Sequence, residues 1–278
     1  MSRKSRNRHK KRDSSQLPPP SKTVGYTVDT EKELFIAYTD DILINQIRRD
    51  TTKITDSFDK LCEEHLREIS RVCSRVFMLL HRGIMRSTRQ GIELEQTCVE
   101  MLMNTLNSFV AATTVLQNGF RLQPGILIRN ILETISTVLH LFTNPDDLKD
   151  FREGRLQSSK TIPSAKKVLP PFGWYYGFFS QNFAHIGYLH QNIQPLVPYK
   201  TFDYALELNI SFLRLTVWLL YVTTELVCLE VVDTPRYWQY LGQNEHGKKM
   251  YSYNPSEDER KWLAKLLGAI ISDEKSQD

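Results

Sequence analysis

The sequence predicts an all-α fold, a single multi-helix bundle preceded by a disordered basic tail. Three observations carry that reading. Apolar residues recur at three- and four-residue intervals over long stretches, capping-box patterns precede two of these stretches, and 41% hydrophobic residues in 278 supply one substantial core. No stretch reads convincingly as a strand.

Residues 1 to 28 combine a run of cations, Arg3, Lys4, Arg6, Arg8, Lys10, Lys11 and Arg12, with Ser, Gln and Pro18 to Pro20. Such a segment cannot bury enough apolar surface to offset the cost of ordering it, so the tail is expected to be disordered and the bundle to occupy residues 29 to 278. The tail also explains the net charge. Its seven cations exceed the overall +4, which leaves the remaining chain mildly acidic.

Thr30 with Glu33 forms the first capping-box pattern, ahead of Leu34, Ile36, Ala37, Ile42, Leu43 and Ile47, which predicts the first helix. From Ser57 to about Met85, Phe58, Cys62, Ile69, Val76 and Leu80 mark one long amphipathic helix, and another follows from about Gln90 to Leu116. Gly119 to Gly125, with Pro124, breaks the chain before a helix over Ile126 to Phe142, which Asn144-Pro145 stops. Gly154 to Pro171 and Pro195 to Tyr199 read as loops around an aromatic segment. Phe202 to Val232 is expected to be a central apolar helix. Ser256 with Glu259 caps a terminal helix through Trp262, Leu263, Leu266, Leu267, Ile270 and Ile271.

Cys62, Cys73, Cys98 and Cys228 form no CxxC pair, and Cys62 with His65 supplies only two metal ligands, so no metal or cofactor is expected and reduced cytoplasmic thiols fit best. The basic start leads into Asp13 and prolines rather than an apolar stretch, which is unlike a secretory signal. Leu215 to Thr224 is about half the roughly 20 residues a membrane span requires, so no membrane is expected either. Phosphate-binding glycine loops, HExxH, GxSxG and kinase-type patterns are absent from the sequence.

Two pieces carry candidate chemistry. At 100° per residue, Arg129, Glu133, Ser136 and His140 fall in a stripe about 60° wide, with Leu127, Ile131, Leu132, Ile135, Val138 and Leu139 elsewhere on the helix. The stripe is either the solvated face of an amphipathic helix or a polar seam inside the bundle. Phe172 to His190 is dense in aromatic residues and holds Ser180, Asn182 and His185, polar groups that need partners once buried. With Glu133 orienting His185 and Arg129 supplying fixed positive charge, Arg129, Glu133, Ser180 and His185 would form a general acid/base with an anion site, suited to phosphodiester or nucleotide substrates. The competing reading is a buried structural network.

The Gly-Pro turn, the run Ile126-Leu127-Ile128-Arg129-Asn130-Ile131-Leu132-Glu133-Thr134, and Ser180 and His185 in an aromatic segment resemble a bacterial helical family of unknown function over about Val99 to Leu189. That family's recurring polar positions correspond to Arg129, Glu133, Ser180 and His185. The helical plan is also similar to the HEPN superfamily, many of whose members are ribonucleases in toxin–antitoxin and anti-phage systems. The HEPN signature is an Arg followed after four to six residues by His. Arg75 with His81 has that spacing but Val76 where a polar residue is usual, while Arg129-Asn130 has the polar residue and no His at the required distance.

With the thiols and the basic tail, this points to a cytoplasmic protein acting near nucleic acid, and the HEPN-like plan implies a defence or toxin-type effector or accessory, with a HEPN-like ribonuclease among the alternatives. The residues leave open whether it is an enzyme. The tail is expected to contact RNA or DNA through its seven cations. The rival class is a noncatalytic interaction module with a protein partner or a second copy.

Overall fold

The structure is a computed structural model that describes residues 22–183, 190–191, 195–243, 245 and 249–274, with side chains as far as Leu266. The expected cations of the tail and His185 lie outside the described residues. The fold is largely all-α, with two small antiparallel hairpins. The chain divides into two compact units, Met1–Thr51 and Thr52–Asp278.

In the first unit, β1 (Thr23–Asp29) pairs with β2 (Leu34–Thr39), with Tyr26 opposite Ala37 and Val28 opposite Phe35. This corrects the helix expected from Leu34 and the absence of strands, and it places residues 23–28 of the expected tail in a strand. The physical reason is composition. Phe35, Ile36, Tyr38 and Thr39 favour a pleated strand, and Val24-Gly25-Tyr26-Thr27-Val28 supplies its partner. The turn is closed by Asp29 Oδ1, which accepts from the amides of Glu31 and Lys32 at 3.1 and 3.0 Å, and Glu33 at φ 50° is outside the helical region. The Thr30–Glu33 pattern is therefore a turn rather than a capping box. A short helix, α1 (Ile42–Asn45), and a π-helical turn, Gln46–Asp50, follow.

All but the first residue of α2 (Thr51–Gln90), about 60 Å long at 1.5 Å per residue, belongs to the second unit. Its buried line, Ile54, Phe58, Cys62, Ile69, Val76 and Leu80, is the predicted apolar stripe. After Gly91, α3 (Glu93–Gln117) ends at Gly119, whose φ of +93° is open to glycine and costly for other residues. The next helix, α4 (Gln123–Thr143), starts with Pro124 in its first turn. Gly125 then lets α4 meet Phe183, because a Cβ there would lie 2.2 Å from the Phe183 ring.

Beyond Pro145–Asp147, a 3₁₀ turn, come α5 (Leu148–Arg152) and α6 (Ser158–Val168). The expected loop over Gly154 to Pro171 is thus mostly helix. Pro163 argues for a break, yet it sits on α6's exposed side while Thr161 and Ala165, one turn apart, are buried and α6 packs on α4. Tertiary burial overrides the local penalty.

Next, α7 (Pro170–Phe183) carries the aromatic segment. Its rings pair at i, i+4: Phe172 with Tyr176, Trp174 with Phe178, Tyr175 with Phe179, and Phe179 with Phe183. The buried Tyr175 hydroxyl donates to Phe212 O at 2.8 Å and lies 2.9 Å from Thr216 Oγ1, tying α7 to α8 (Tyr204–Val227).

Asp203 caps α8, accepting from the Leu206 amide at 2.9 Å and from Arg121 at 2.8 Å. Burial alone would raise this carboxyl; Arg121 and the Leu206 amide overcome it and hold the group below its usual range. Both α4 and α8 are long and apolar enough to cross a membrane by composition, but 89% of the most apolar window of α8 is buried in the unit, as in the central helix of a bundle.

The second hairpin, β3 (Trp238–Gln243) and β4 (Lys249–Tyr253), packs its first residue against α8, where Trp238 Nε1 donates to Val222 O at 2.8 Å. The terminal helix α9 (Glu257–Glu274) has the predicted box: Ser256 Oγ accepts from the Glu259 amide at 3.3 Å, and Glu259 Oε2 accepts from the Ser256 amide at 3.2 Å.

Candidate functional site

The predicted stripe on α4 is split in two. At its N-terminal end Arg129 Nη2 and Glu133 Oε1 pair at 2.9 Å, with side chains 29% and 32% exposed. They therefore neutralise one another at the bundle surface. The Arg129 Nε is buried without a hydrogen-bond partner among the described residues. Ser180 lies half-buried on α7 and forms no hydrogen bond with either Arg129 or Glu133 among the described residues. The structure thus joins two of the four expected catalytic residues to each other.

The C-terminal end of the stripe is buried against α6. Ser136 Oγ donates to Glu133 O at 2.8 Å and sits 3.0 Å from Thr161 Oγ1. His140, 4% exposed, places Nε2 2.6 Å from Asp147 Oδ2, while Nδ1 faces the Asn144 amide at 3.4 Å. Lys160 meets the same Asp147 carboxylate at 2.9 Å. Lys160 first, then His140, hold that carboxyl below its ordinary value. Both ring nitrogens are engaged within the protein and Ser136 does not reach the ring, so the arrangement is that of a staple between α4 and α6 rather than a nucleophile and its base.

A different surface carries unneutralised charge. On the C-terminal half of α2, from Ile69 to Gln90, the sequence contains no Asp or Glu but has Arg71, Arg75, Arg82, Arg86 and Arg89. At 100° per residue Arg71, Arg75, Met78, Arg82, Met85 and Arg89 fall within an arc of about 80°, and all six are exposed. The stripe runs about 27 Å along the helix. Arg86 alone turns to a carboxylate, Glu95 of α3; among the described residues Arg71, Arg75, Arg82 and Arg89 have no ion-pair partner. Along one edge lie Phe77, 54% exposed, and His81, their rings parallel within 5° at 6.4 Å between centroids. Arginine forks, a bare aromatic face and a methionine surface together suit a ligand with spaced anionic groups and stackable planes.

Sequence reading uses this helix for its apolar periodicity and singles out Arg75 and His81 only for their spacing. The overlooked signal is the segregation of charge. All acidic residues of α2 end at Glu68, and five arginines follow.

His65, weighed with Cys62 as a metal ligand, directs Nδ1 at Arg214 Nη2, 2.9 Å away, while Cys62 is fully buried. Among the described residues no group of three or more His, Cys, Asp or Glu is placed to hold a metal ion. Comparison with family models, with curated proteins and with solved structures gives no match.

Proposed function

We propose that this chain is a nucleic-acid-binding helical-bundle protein that grips RNA or DNA through the arginine face of α2, with the cations Arg3 to Arg12 of the N-terminal segment adding to the contact. The observation carrying this reading is the 27 Å stripe itself: four exposed arginines without carboxylate partners on one helix face, interleaved with Met78 and Met85 and edged by Phe77. Four such cations on one face concentrate positive potential, and a phosphate backbone that neutralises them gains from counterion release. Sequence-tolerant stacking on Phe77 and His81 favours single strands over duplex.

In this reading the α4–α6 polar cluster is scaffold, and the binding is noncatalytic. A catalytic reading would need Arg129 and Glu133 to act with Ser180 and His185 rather than only with one another. Cytoplasmic placement goes with the reading, since the four cysteines are free thiols.

The test is the salt dependence of binding to a fluorescent single-stranded RNA, measured by anisotropy between about 50 and 300 mM salt. Replacing Arg71, Arg75, Arg82 and Arg89 by Gln lowers the slope of log K against log salt by about 2.8, at about 0.7 per neutralised phosphate on a single strand. Replacing the seven N-terminal cations lowers it separately. A slope that the four α2 substitutions leave unchanged refutes the proposal.

A further inference from the structure

A cavity of about 490 Å³ opens between the C-terminal end of α4, the junction of α6 and α7, and β4. That is within the range of about 300–1,000 Å³ typical of small-molecule sites. None of its lining residues belongs to the arginine face of α2, and it adjoins the polar cluster at His140 only through Thr143. Its walls are largely apolar, with Phe142, Val168, Leu226, Trp238, Met250 and Tyr253 contributed by five segments of the fold. Trp238 is fixed there by the bond from its indole nitrogen to Val222 O, so this part of the wall is preformed.

The charge of the lining has one sign. Lys167 of α6 and Lys249 of β4 both line the cavity, and no Asp or Glu does. Lys167 is exposed and has no carboxylate partner among the described residues, whereas Lys249 pairs with Glu230. An apolar chamber whose one unpaired charged side chain is a lysine complements a molecule with a hydrocarbon body and one anionic head.

We propose that this cavity is a binding site for an amphipathic anion, a medium-length hydrocarbon chain ending in a carboxylate or phosphate, with Lys167 as the main contact to the head. The chain fills the apolar chamber and displaces water from it, and the head stays at the lysines, where it keeps part of its hydration. A ligand of the opposite charge gains the same apolar burial but faces the unpaired Lys167.

The full-length protein would be titrated calorimetrically with decanoate, decyl phosphate and decyltrimethylammonium, each below its micellar concentration. Decanoate or decyl phosphate binds with one-to-one stoichiometry and at least tenfold tighter than the ammonium amphiphile. The tighter of the two anions identifies the head. Lys167→Glu, at an exposed position that leaves the core untouched, weakens the anion at least tenfold; Lys167→Arg retains it. Equal affinity for the three amphiphiles, stoichiometry above one, an anion affinity that Lys167→Glu does not change, or no heat with either anion up to millimolar concentration each overturns the proposal.

Discussion

Gly125→Ala tests the packing that brings α4 against α7. In an ordinary helical position the change would stabilise the chain by about 1 kcal/mol, because alanine loses less backbone freedom. Here the added methyl would lie 2.2 Å from Phe183 Cδ1 and 2.3 Å from Cε1, far inside normal contact, and a ring cannot yield as the end of a flexible chain does. Overpacking of this kind costs about 1–3 kcal/mol, and these separations place it at the upper end. The net loss is therefore about 2 kcal/mol, which corresponds to a fall in Tm of about 4–8 °C for a unit of this size. Urea unfolding followed by helical circular dichroism would measure it. The double variant Gly125→Ala with Phe183→Leu should recover part of the loss, giving a favourable coupling energy between two sites in contact. A Gly125→Ala protein as stable as the parent, or more so, would refute the claim that the glycine serves the close approach.

Replacing Asp147 by Asn removes the charge shared by Lys160 and His140 and should cost about 1–3 kcal/mol, measurable by the same unfolding assay. Because Lys160 and His140 hold this carboxyl below its ordinary 3.8, its stabilisation is complete at neutral pH and fades as pH falls through the lowered value; the Asn variant should lose that part of the acid sensitivity, and an unchanged acid limb would count against the staple. Glu225 has the opposite sign: burial raises its carboxyl, so stability declines as pH climbs from 4.5 towards the raised value, and Glu225→Gln should flatten that decline. Burial pushes Cys62 up to about 11 and Cys98 and Cys228 up to about 12, so Ellman's reagent at about pH 8 should find no fast reaction at these three thiols in the native protein, with half-buried Cys73 the one open to attack; two or more rapid equivalents would contradict the burial.

The long helices are legible because each writes its own burial into the sequence. The spacing of Phe58, Cys62, Ile69, Val76 and Leu80 is a statement about α2 alone, and Ser256 with Glu259 announces α9 within four residues. What fails is local ambiguity settled elsewhere. Leu34 to Tyr38 is apolar at almost every position, so its period is undefined until β1 pairs with it. Pro163 argues against α6 locally, and only the burial of Thr161 and Ala165 against α4 outweighs it. The stripe on α4 is legible as one angular cluster. Its division into a surface ion pair and a buried staple depends on α6 and Asp147, which periodicity within α4 cannot reveal.

The aromatic ladder of α7 bears on how that helix is aligned. Rings repeated every four residues look nearly the same after a shift of one turn, about 5.4 Å, so the ring contacts of α7 with Phe212 are by themselves a weak marker of register. Tyr175 breaks that degeneracy, since its hydroxyl reaches Phe212 O and Thr216 in one position. A slide of one turn would put Pro171 or Phe179 in its place, neither of which has a side-chain hydroxyl to offer, and would strand the phenol among hydrocarbon at a cost of about 1–3 kcal/mol. The phenol thus adds a polar marker of register to the steric one that Phe183 makes at Gly125.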